Sequence, residues 1–589
     1  MTGTDVLRGS VRDQRGPVAS AALLFMGHQA GEALVPVLVG VVVDRAVATG
    51  DPGALLLWVG VLGLDFAVLS FCYRWGARRA WLGDVVADQR LRLLVADRVL
   101  DPRGGAEAGR LPGDLASVAT TDAKRVGVVN FALPLGVAAV AAMVVAAVAL
   151  LAISVPLGLL VLLGTPLLLG AVSLLGRPLE RRSGPEQEQA ARASGIAADL
   201  VDGVRVLKGL RAEPAAVRRY VAASRGALDA TLGATRAQAG YQGSVLAANG
   251  LFLALVALVG GRMAAEGTIS VGELVSAVGL AQFLVTPLQI AGWVNGRLAQ
   301  GRASAARIAG VLAADPAVGA GHVATPAVVG GSLLVKGLWA GTLRGVDLEA
   351  RSGELVGVVT RDPAEAAALV RCLAREVDPT EGVLELDGVD LHALAPSDAR
   401  RAVVVAAHDA VLFAGTLAEN AAAAAAAPAA AEAPPARGTG GAERGPRTTP
   451  QCAPRSGIPP LVGAALAASR ADQVAEVLPD GVDTAVSEQG RSLSGGQRQR
   501  VALARALATD APVLVLHDPT TAVDTVTEAR IAEGIATLRA GRTTLLVATR
   551  PALLDRADRV LLIDAGRVVA SGVHTDLLAR ADYREAVSG

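Results

Sequence analysis

Two stretches carry the chemistry legible in this chain. The first, "LSGGQRQRVALARAL" from Leu493 to Leu507, sets a serine and two glycines ahead of a run with helical spacing. A helix opening on Ser494, Gly495 and Gly496 offers unbonded backbone N–H groups and the positive end of its dipole, which together attract an anion. Glycine puts no side chain in the way, so a phosphate can approach the backbone itself. The second stretch, "GELVGVVTRDPAEAAALVRCLA" from Gly353 to Ala374, reads as strand, turn and helix, the setting in which a glycine-rich turn cradles phosphate. Its turn has no glycine.

The elements that must position these stretches fall into two halves of different composition. Of 589 residues, 52% are hydrophobic and only 19% charged, and mean hydropathy is +0.45, too apolar for an ordinary soluble protein. A net charge of +0 gives no sign of a nucleic-acid partner. Cys72, Cys372 and Cys452 lie far apart without metal-ligand spacing, which argues against a disulfide framework or a zinc site.

The first half reads as membrane-embedded. From Val126 to Gly176 there is no Asp, Glu, Lys or Arg, enough for two helices at about 20 residues per crossing, joined near "ISVP". With that hairpin the predicted spans are six: 17–43, 54–73, 126–152, 156–176, 237–261 and 274–296. The first is too long for a signal sequence and lacks a small-residue cleavage site, so it reads as a retained span. Arginines 8, 12 and 15 precede it, further arginines follow spans two and four, and the opposite turns carry at most Arg45 and Arg262. That bias predicts cytoplasmic termini. The segments after spans two and four keep helical periodicity, predicting helices that run on beyond the membrane. Polar groups inside the spans, His28, Gln29, Glu32, Asp65, Asn249 and Gln282, are costly in lipid and are expected to face the interior as substrate contacts, with interhelical hydrogen bonds or snorkelling near an interface as the other reading.

Past Ala314 short apolar runs alternate with glycine turns and helical patterns, as in "PVLVLHD", "TTLLVAT" and "RVLLIDAGRVVASG", which predicts an α/β layer fold. Between 421 and 457 lies a low-complexity stretch rich in alanine, proline and glycine, read as a mobile insertion, with a short alanine helix at its start as the alternative.

"LPDGVDTAVSEQGRSLSGGQRQRVALARALATDAPVLVLHDPTTAVD", Leu478 to Asp524, resembles the signature-to-Walker-B block of the ATP-binding cassette (ABC) family. The membrane half and Gly267–Leu312, with "GTISVGELV" and "ASAARIAGVL", resemble a half-transporter that has six spans followed by one cassette. The similarity covers nearly the whole chain apart from the insertion. It implies an all-α six-helix transmembrane domain (1–314), a linker (315–331) and an α/β P-loop-type ABC nucleotide-binding domain (332–589), sited in the cell membrane with the cassette in the cytoplasm.

The resemblance also assigns roles. Two cassettes of this family close head to tail, so Ser494, Gly495, Gly496 and Gln497 would contact ATP held by the opposite cassette, with Asp524 as the D-loop aspartate. Laid on G-x-x-x-x-G-K-[ST], the other stretch puts Thr360, Pro363 and Glu365 at glycine positions, Ala366 at the lysine and Ala367 at the hydroxyl. Pro363 removes a donor, and Glu365 adds a charge that repels phosphate. His408 stands at the Q-loop glutamine and His517 at the Walker B aspartate. Asp518 takes the place of the catalytic glutamate, one methylene shorter, and Thr549 that of the switch histidine. Trp339 falls near the adenine-stacking position, with simple packing as its other reading. The losses gather in groups that would serve this chain's own ATP, while the signature and "VSEQG" match the family.

The implied function is the non-consensus subunit of a heterodimeric ATP-driven ABC transporter of exporter architecture. It would lend its signature to a second half-transporter with an intact Walker A, which would hold the ATP and Mg²⁺; no metal site is assigned to this chain. The substrate is open among small molecules, peptides and lipids. The alternatives are a non-transporting regulatory or scaffold subunit and a homodimeric ATPase transporter.

Overall fold

In the computed structural model, which describes residues 1–323, 329–408, 411–425 and 458–588, and within them all side chains except 169, 171–185, 202 and 205, the first half of the chain is helical. Its main elements are α1 (Gly3–Asp13), α2 (Arg15–Val42, running on through a π-turn at Val43–Val47), α3 (Pro52–Val99), α4 (Pro112–Ile153), α5 (Val155–Asp202), α6 (Glu213–Ala265) and α7 (Val271–Leu312). Most of the insertion, from 426, lies outside the described residues; a short helix, Leu417–Ala422, precedes it.

Starts and stops follow local chemistry. Ser154 alone separates α4 from α5; its extended backbone and its hydroxyl, which accepts from Leu157 N, cap α5, and Pro156 fits the first turn. Ser270 and Glu273 close a capping box at the start of α7. Among the described residues, α3, α4, α6 and α7 are long and apolar enough to cross a membrane. The first expected span falls on α2, which carries His28, Gln29 and Glu32. The fourth falls on α5, whose apolar opening is Val155–Leu168. As the periodicity implies, α3 and α5 run well past their expected spans and α6 begins well before its own.

Small residues set how closely these helices approach. A Cβ on Gly40 would come within 2.2 Å of the Gly272 carbonyl oxygen, so α2 and α7 touch backbone to backbone there. Asp44 completes the joint, accepting from Gly272 N at 2.8 Å and from the Ser270 hydroxyl. Asn249 on α6 donates to Gln282 on α7 at 3.1 Å, the interhelical reading of that pair.

The second half contains twelve strands among its described residues: β1 (Leu333–Ala340), β2 (Leu343–Ala350), β3 (Leu355–Thr360), β4 (Glu381–Leu386), β5 (Val389–Asp390), β6 (Val403–Ala406), β7 (Gly415–Thr416), β8 (Ala485–Val486), β9 (Val513–His517), β10 (Thr543–Val547), β11 (Arg559–Asp564) and β12 (Arg567–Gly572). They form an antiparallel sheet, β2-β1-β4-β5, a small β7-β8 pair, and a main sheet in the order β12-β11-β3-β10-β9-β6. Within the main sheet only β12 is antiparallel. Its core strands are apolar on both faces, the pattern of a sheet covered on both sides. Leu355 and Val359 of β3, with Leu514 and Leu516 of β9, enter one core. Val356 and Val358, with Val513 and Val515, enter the other. That alternation is the two-residue period of a strand.

By contacts the chain divides into two compact units, Met1–Arg98 with Arg110–Ala313, and Val99–Gly109 with Ala314–Gly589. The segment after α3 thus belongs with the sheets. Its Arg103 carbonyl accepts from Ala317 N and Val318 N at 3.0 and 3.2 Å, and at Gly105, where φ is +90°, a Cβ would meet the Asp315 carbonyl oxygen at 2.1 Å.

Candidate ATP site

The parallel register positions the residues expected to act. β3, β10, β9 and β6 are consecutive neighbours running the same way. Thr360, Thr549, His517 with Asp518, and His408 therefore stand at or just past the same end of four adjacent strands. Ligands of open α/β sheets bind at that carboxyl edge.

At the end of β3 the chain does not form a wide loop. Only Arg361 and Asp362 separate β3 from α8 (Pro363–Leu373), so Pro363, Glu365, Ala366 and Ala367 are helical. Asp362 is the N-cap, accepting from Ala364 N at 2.8 Å, and Pro363 supplies the fixed φ of the first turn. Such a cap contributes about 1 kcal/mol. Glu365 is 3% exposed and accepts from Gly566 N at 2.6 Å in the β11–β12 turn, while its Oε2 has no partner. Arg361 reaches Asp564 of the same hairpin at 3.2 Å and Glu585 at 2.8 Å. This turn staples a hairpin. Ala366 is buried and Ala367 exposed.

The signature is organised differently. α9 (Gly495–Leu507) begins with Ser494 as N-cap: the hydroxyl accepts from Gln497 N at 3.3 Å, and Gln497 Oε1 accepts from Ser494 N at 2.8 Å. Gln497 thus closes its own helix end. The first helical N–H groups, those of Gly495 and Gly496, have no acceptor within the helix. The two glycines differ in surroundings. A Cβ on Gly496 would lie 2.5 Å from the Ala522 carbonyl oxygen, whereas one on Gly495 would meet only the Ala522 Cβ at 3.7 Å. Gly496→Ala is accordingly expected to destabilise the chain by about 1–3 kcal/mol through overpacking. Gly495→Ala should leave stability unchanged or raise it, since alanine is the better helix former. Thermal unfolding of the two variants separates them, and equal losses would sink this packing account.

Gln499 is the residue that sequence reasoning missed. Buried on α9, it donates through Nε2 to the Asp518 carbonyl oxygen and the Thr521 hydroxyl, both at 2.9 Å, and accepts from Ala522 N at 2.9 Å. It ties the signature helix to the segment joining β9 to α10 (Thr525–Leu538). A glutamine inside an Arg/Gln-rich helix gives no sequence signal for such a role. Asp524 caps α10, and the Thr527 N–H, followed by the Thr527 side chain, holds its carboxyl below the ordinary aspartate range.

The two histidines come together. His408 after β6 and His517 at the end of β9 have ring centroids 5.2 Å apart, edge to face, and His517 Nε2 lies 3.9 Å from Asp518 Oδ2. Asp518 itself takes a left-handed backbone, φ +46°. His408, Gln489, Arg491, Gly495, Arg498 and Gln499 share the wall of a cleft of about 470 Å³. Thr549 is half-buried past β10, and its neighbour Arg550 donates to the Thr521 carbonyl oxygen at 3.3 Å. Trp339, on β1 of the antiparallel sheet, is exposed and carries the Arg344 guanidinium 5.7 Å from its ring centre. No group of three or more His, Cys, Asp or Glu side chains with metal-binding geometry occurs among the described residues.

Comparison with known proteins assigns both halves. Residues 18–288 match the ABC transporter transmembrane region, and residues 343–521 match the ABC transporter family model. The chain belongs to the ABC transporter family and carries both its transmembrane region and its cassette. This ABC chain is 29% identical over 422 residues to an ATP-dependent lipid A-core flippase of Thiobacillus denitrificans, covering 70% of the chain and 68% of the relative. It is also 29% identical over 567 residues to a multidrug efflux ATP-binding/permease protein of Mycobacterium tuberculosis, covering 94% of the chain. It spans only 45% of that relative's length. Its fold is that of a bacterial Atm1-family ABC exporter solved with ATP bound, with a TM-score of 0.70, 24% identity and 98% of each chain covered. An ABC cassette implies ATP and Mg²⁺.

Proposed function

We propose that this chain is one half of a heterodimeric ATP-driven exporter, in which it lends its signature to ATP held by a partner and has no competent phosphate site of its own. The observation that carries the reading is the start of α8. Asp362 has already placed its carboxylate on the Ala364 N–H, Pro363 contributes none, and Ala366 stands where a lysine would reach phosphate. The residues at this turn do not fit a triphosphate. An approaching phosphate meets Asp362, with Glu365 buried behind it, rather than a ring of donors. The start of α9, by contrast, keeps its glycine N–H groups open to an anion.

The rest of the proposal follows from the family. Six spans lie in the cell membrane, with the cassette (332–589) and the linker before it (315–331) in the cytoplasm. The partner is a second half-transporter with an intact phosphate loop, catalytic glutamate and switch histidine, and it holds ATP and Mg²⁺. Asp518, His517, His408 and Thr549 of this chain then take no part in hydrolysis. Cassette closure on the partner's ATP drives the switch between inward- and outward-open membrane halves. From the flippase and multidrug relatives we take the substrate to be an amphipathic lipid or drug-like molecule.

The test is purification of the tagged chain from its native membranes in mild detergent, with mass spectrometry of whatever accompanies it in equal amount. The expected companion is a half-transporter with an intact phosphate loop. Recovery as a homodimer that turns over ATP would establish the homodimeric transporter instead, and recovery without any second cassette would leave a scaffold.

A further inference from the structure

The membrane half holds a polar cluster that none of the cassette chemistry uses. On α2, His28, Gln29 and Glu32 share one face, and Asp65 and Tyr73 meet that face from α3. His28 Nδ1 lies 3.0 Å from the Leu69 carbonyl oxygen, an acceptor only, so Nδ1 carries the hydrogen and donates. In the neutral ring Nε2 is then a lone pair, and it points at Glu32 Oε2 from 3.7 Å. While the ring is neutral, two acceptors face each other there with no donor between them.

The surroundings deepen that deficit. Gln29 is 6% exposed; its Nε2 donates to Glu32 Oε2 at 3.1 Å, which places its amide head at the cluster, and its Oε1 has no partner. Asp65 packs against Gly31, the residue beside Glu32, where a Cβ would lie 3.1 Å from Asp65 Oδ1, and its Oδ2 also lacks a partner. Between Pro17 and Val42, and between Pro52 and Tyr73, there is no Lys or Arg to balance Glu32 and Asp65. An aromatic wall stands alongside: the Tyr73 ring is 5.1 Å from His28 and 6.2 Å from Phe25. Glu32 is still partly exposed, and a carboxylate at membrane depth faces the bundle interior or a water-filled cavity rather than lipid. Carboxylates with no Lys or Arg partner, beside an aromatic face, are the chemistry that recognises an organic cation.

We infer that the α2–α3 face is a binding site for the charged group of a lipophilic organic cation, with Glu32 and Asp65 as counter-charges and the Tyr73 ring alongside. The inference deepens the exporter reading by naming a substrate class and rests on it. Its test is equilibrium binding of tetraphenylphosphonium to the full chain, with any co-purifying subunit, in lipid nanodiscs. Saturable binding is expected that exceeds binding to empty nanodiscs. Glu32→Gln and Asp65→Asn should each weaken it at least about tenfold, while Glu32→Asp, which keeps the charge, should retain it. Triphenylphosphine oxide, similar in shape but uncharged, should not bind saturably. Equal affinity in all variants, or no saturable binding, overturns the site; the latter is also the outcome if a proton on His28 or a neighbouring subunit fills the gap. ATP turnover measured on the same sample separates the two readings. Turnover without cation binding removes this site and leaves the exporter, whereas cation binding without turnover in any assembled complex keeps the site and removes the exporter.

Discussion

Gly495→Asp in the assembled complex is expected to lower ATP turnover by about 10²-fold or more, the scale on which removing one donor from a charge-stabilising site acts. The variant does two things at once. It sets a carboxylate at the mouth of α9, where the dipole and the free N–H groups would meet phosphate, and it restricts the approach that glycine permits. Position 495 suits the test better than 496, because the Ala522 carbonyl oxygen lies 2.5 Å from a Cβ on Gly496, so a loss there would mix misfolding with lost contact. Ser494→Arg tests the same site by bulk and should act in the same direction. Asp518→Asn is the counterpart. If this chain hydrolyses nothing itself, that change leaves turnover within about twofold, whereas loss of a working general base costs roughly 10²–10⁴-fold. Turnover that survives Gly495→Asp, or collapses in Asp518→Asn, would reverse the assignment of the two sites.

The second large effect concerns ATP binding by the purified chain without a partner. A charge-assisted hydrogen bond is worth roughly 1.5–3 kcal/mol. The α8 turn lacks the lysine and offers no ring of loop donors, so two or more such bonds are missing, which predicts affinity at least about 10²-fold weaker than that of a cassette with a phosphate loop. Titration calorimetry with ATP reads this directly. Ala366→Lys alone is not expected to restore binding, because position 366 is buried on a helix that has already begun at Pro363. Replacing 360–367 with a full phosphate loop is the variant that should. Micromolar affinity in the unaltered chain would instead return the homodimeric ATPase to first place.

What could be read in advance tracks how local each feature is. The charge-free run from Val126 to Gly176 announced α4 and α5, and "ISVP" their joint, because helix length and capping are properties of a few consecutive residues. "PVLVLHD" and "TTLLVAT" announced β9 and β10 for the same reason. The glycine pair marked the start of α9. The sequence pattern did not reveal that one glycine of that pair is tied to Ala522 and the other is free, since that depends on a neighbour 26 residues away. Nor did it reveal that Glu365 would hold Gly566, or that His408 and His517 would face each other, since both pairings arise from the order of strands in the sheet. The eight-residue template also assumed a loop where the chain has two residues, because Asp362 and Pro363 together start a helix early. The number of membrane crossings was less legible than their places: among the described residues four helices are long and apolar enough to cross, and the first expected span falls on α2, where His28, Gln29 and Glu32 interrupt the apolar run.

The unit that contains the sheets is not continuous in the chain, since Val99–Gly109 belongs to it and the remainder starts at Ala314. During synthesis Arg103 leaves the ribosome about 210 residues before Ala317, its hydrogen-bonding partner. At about 5–20 residues per second that is a wait of roughly 10–40 s, during which the helices between them are made. Throughout that interval the Arg103 carbonyl and Gly105 have no Asp315–Val318 to pair with. The sheet-bearing unit is therefore completed by a segment made long before it, and a fragment beginning at Ala314 would lack the Arg103 carbonyl to which the N–H groups of Ala317 and Val318 donate.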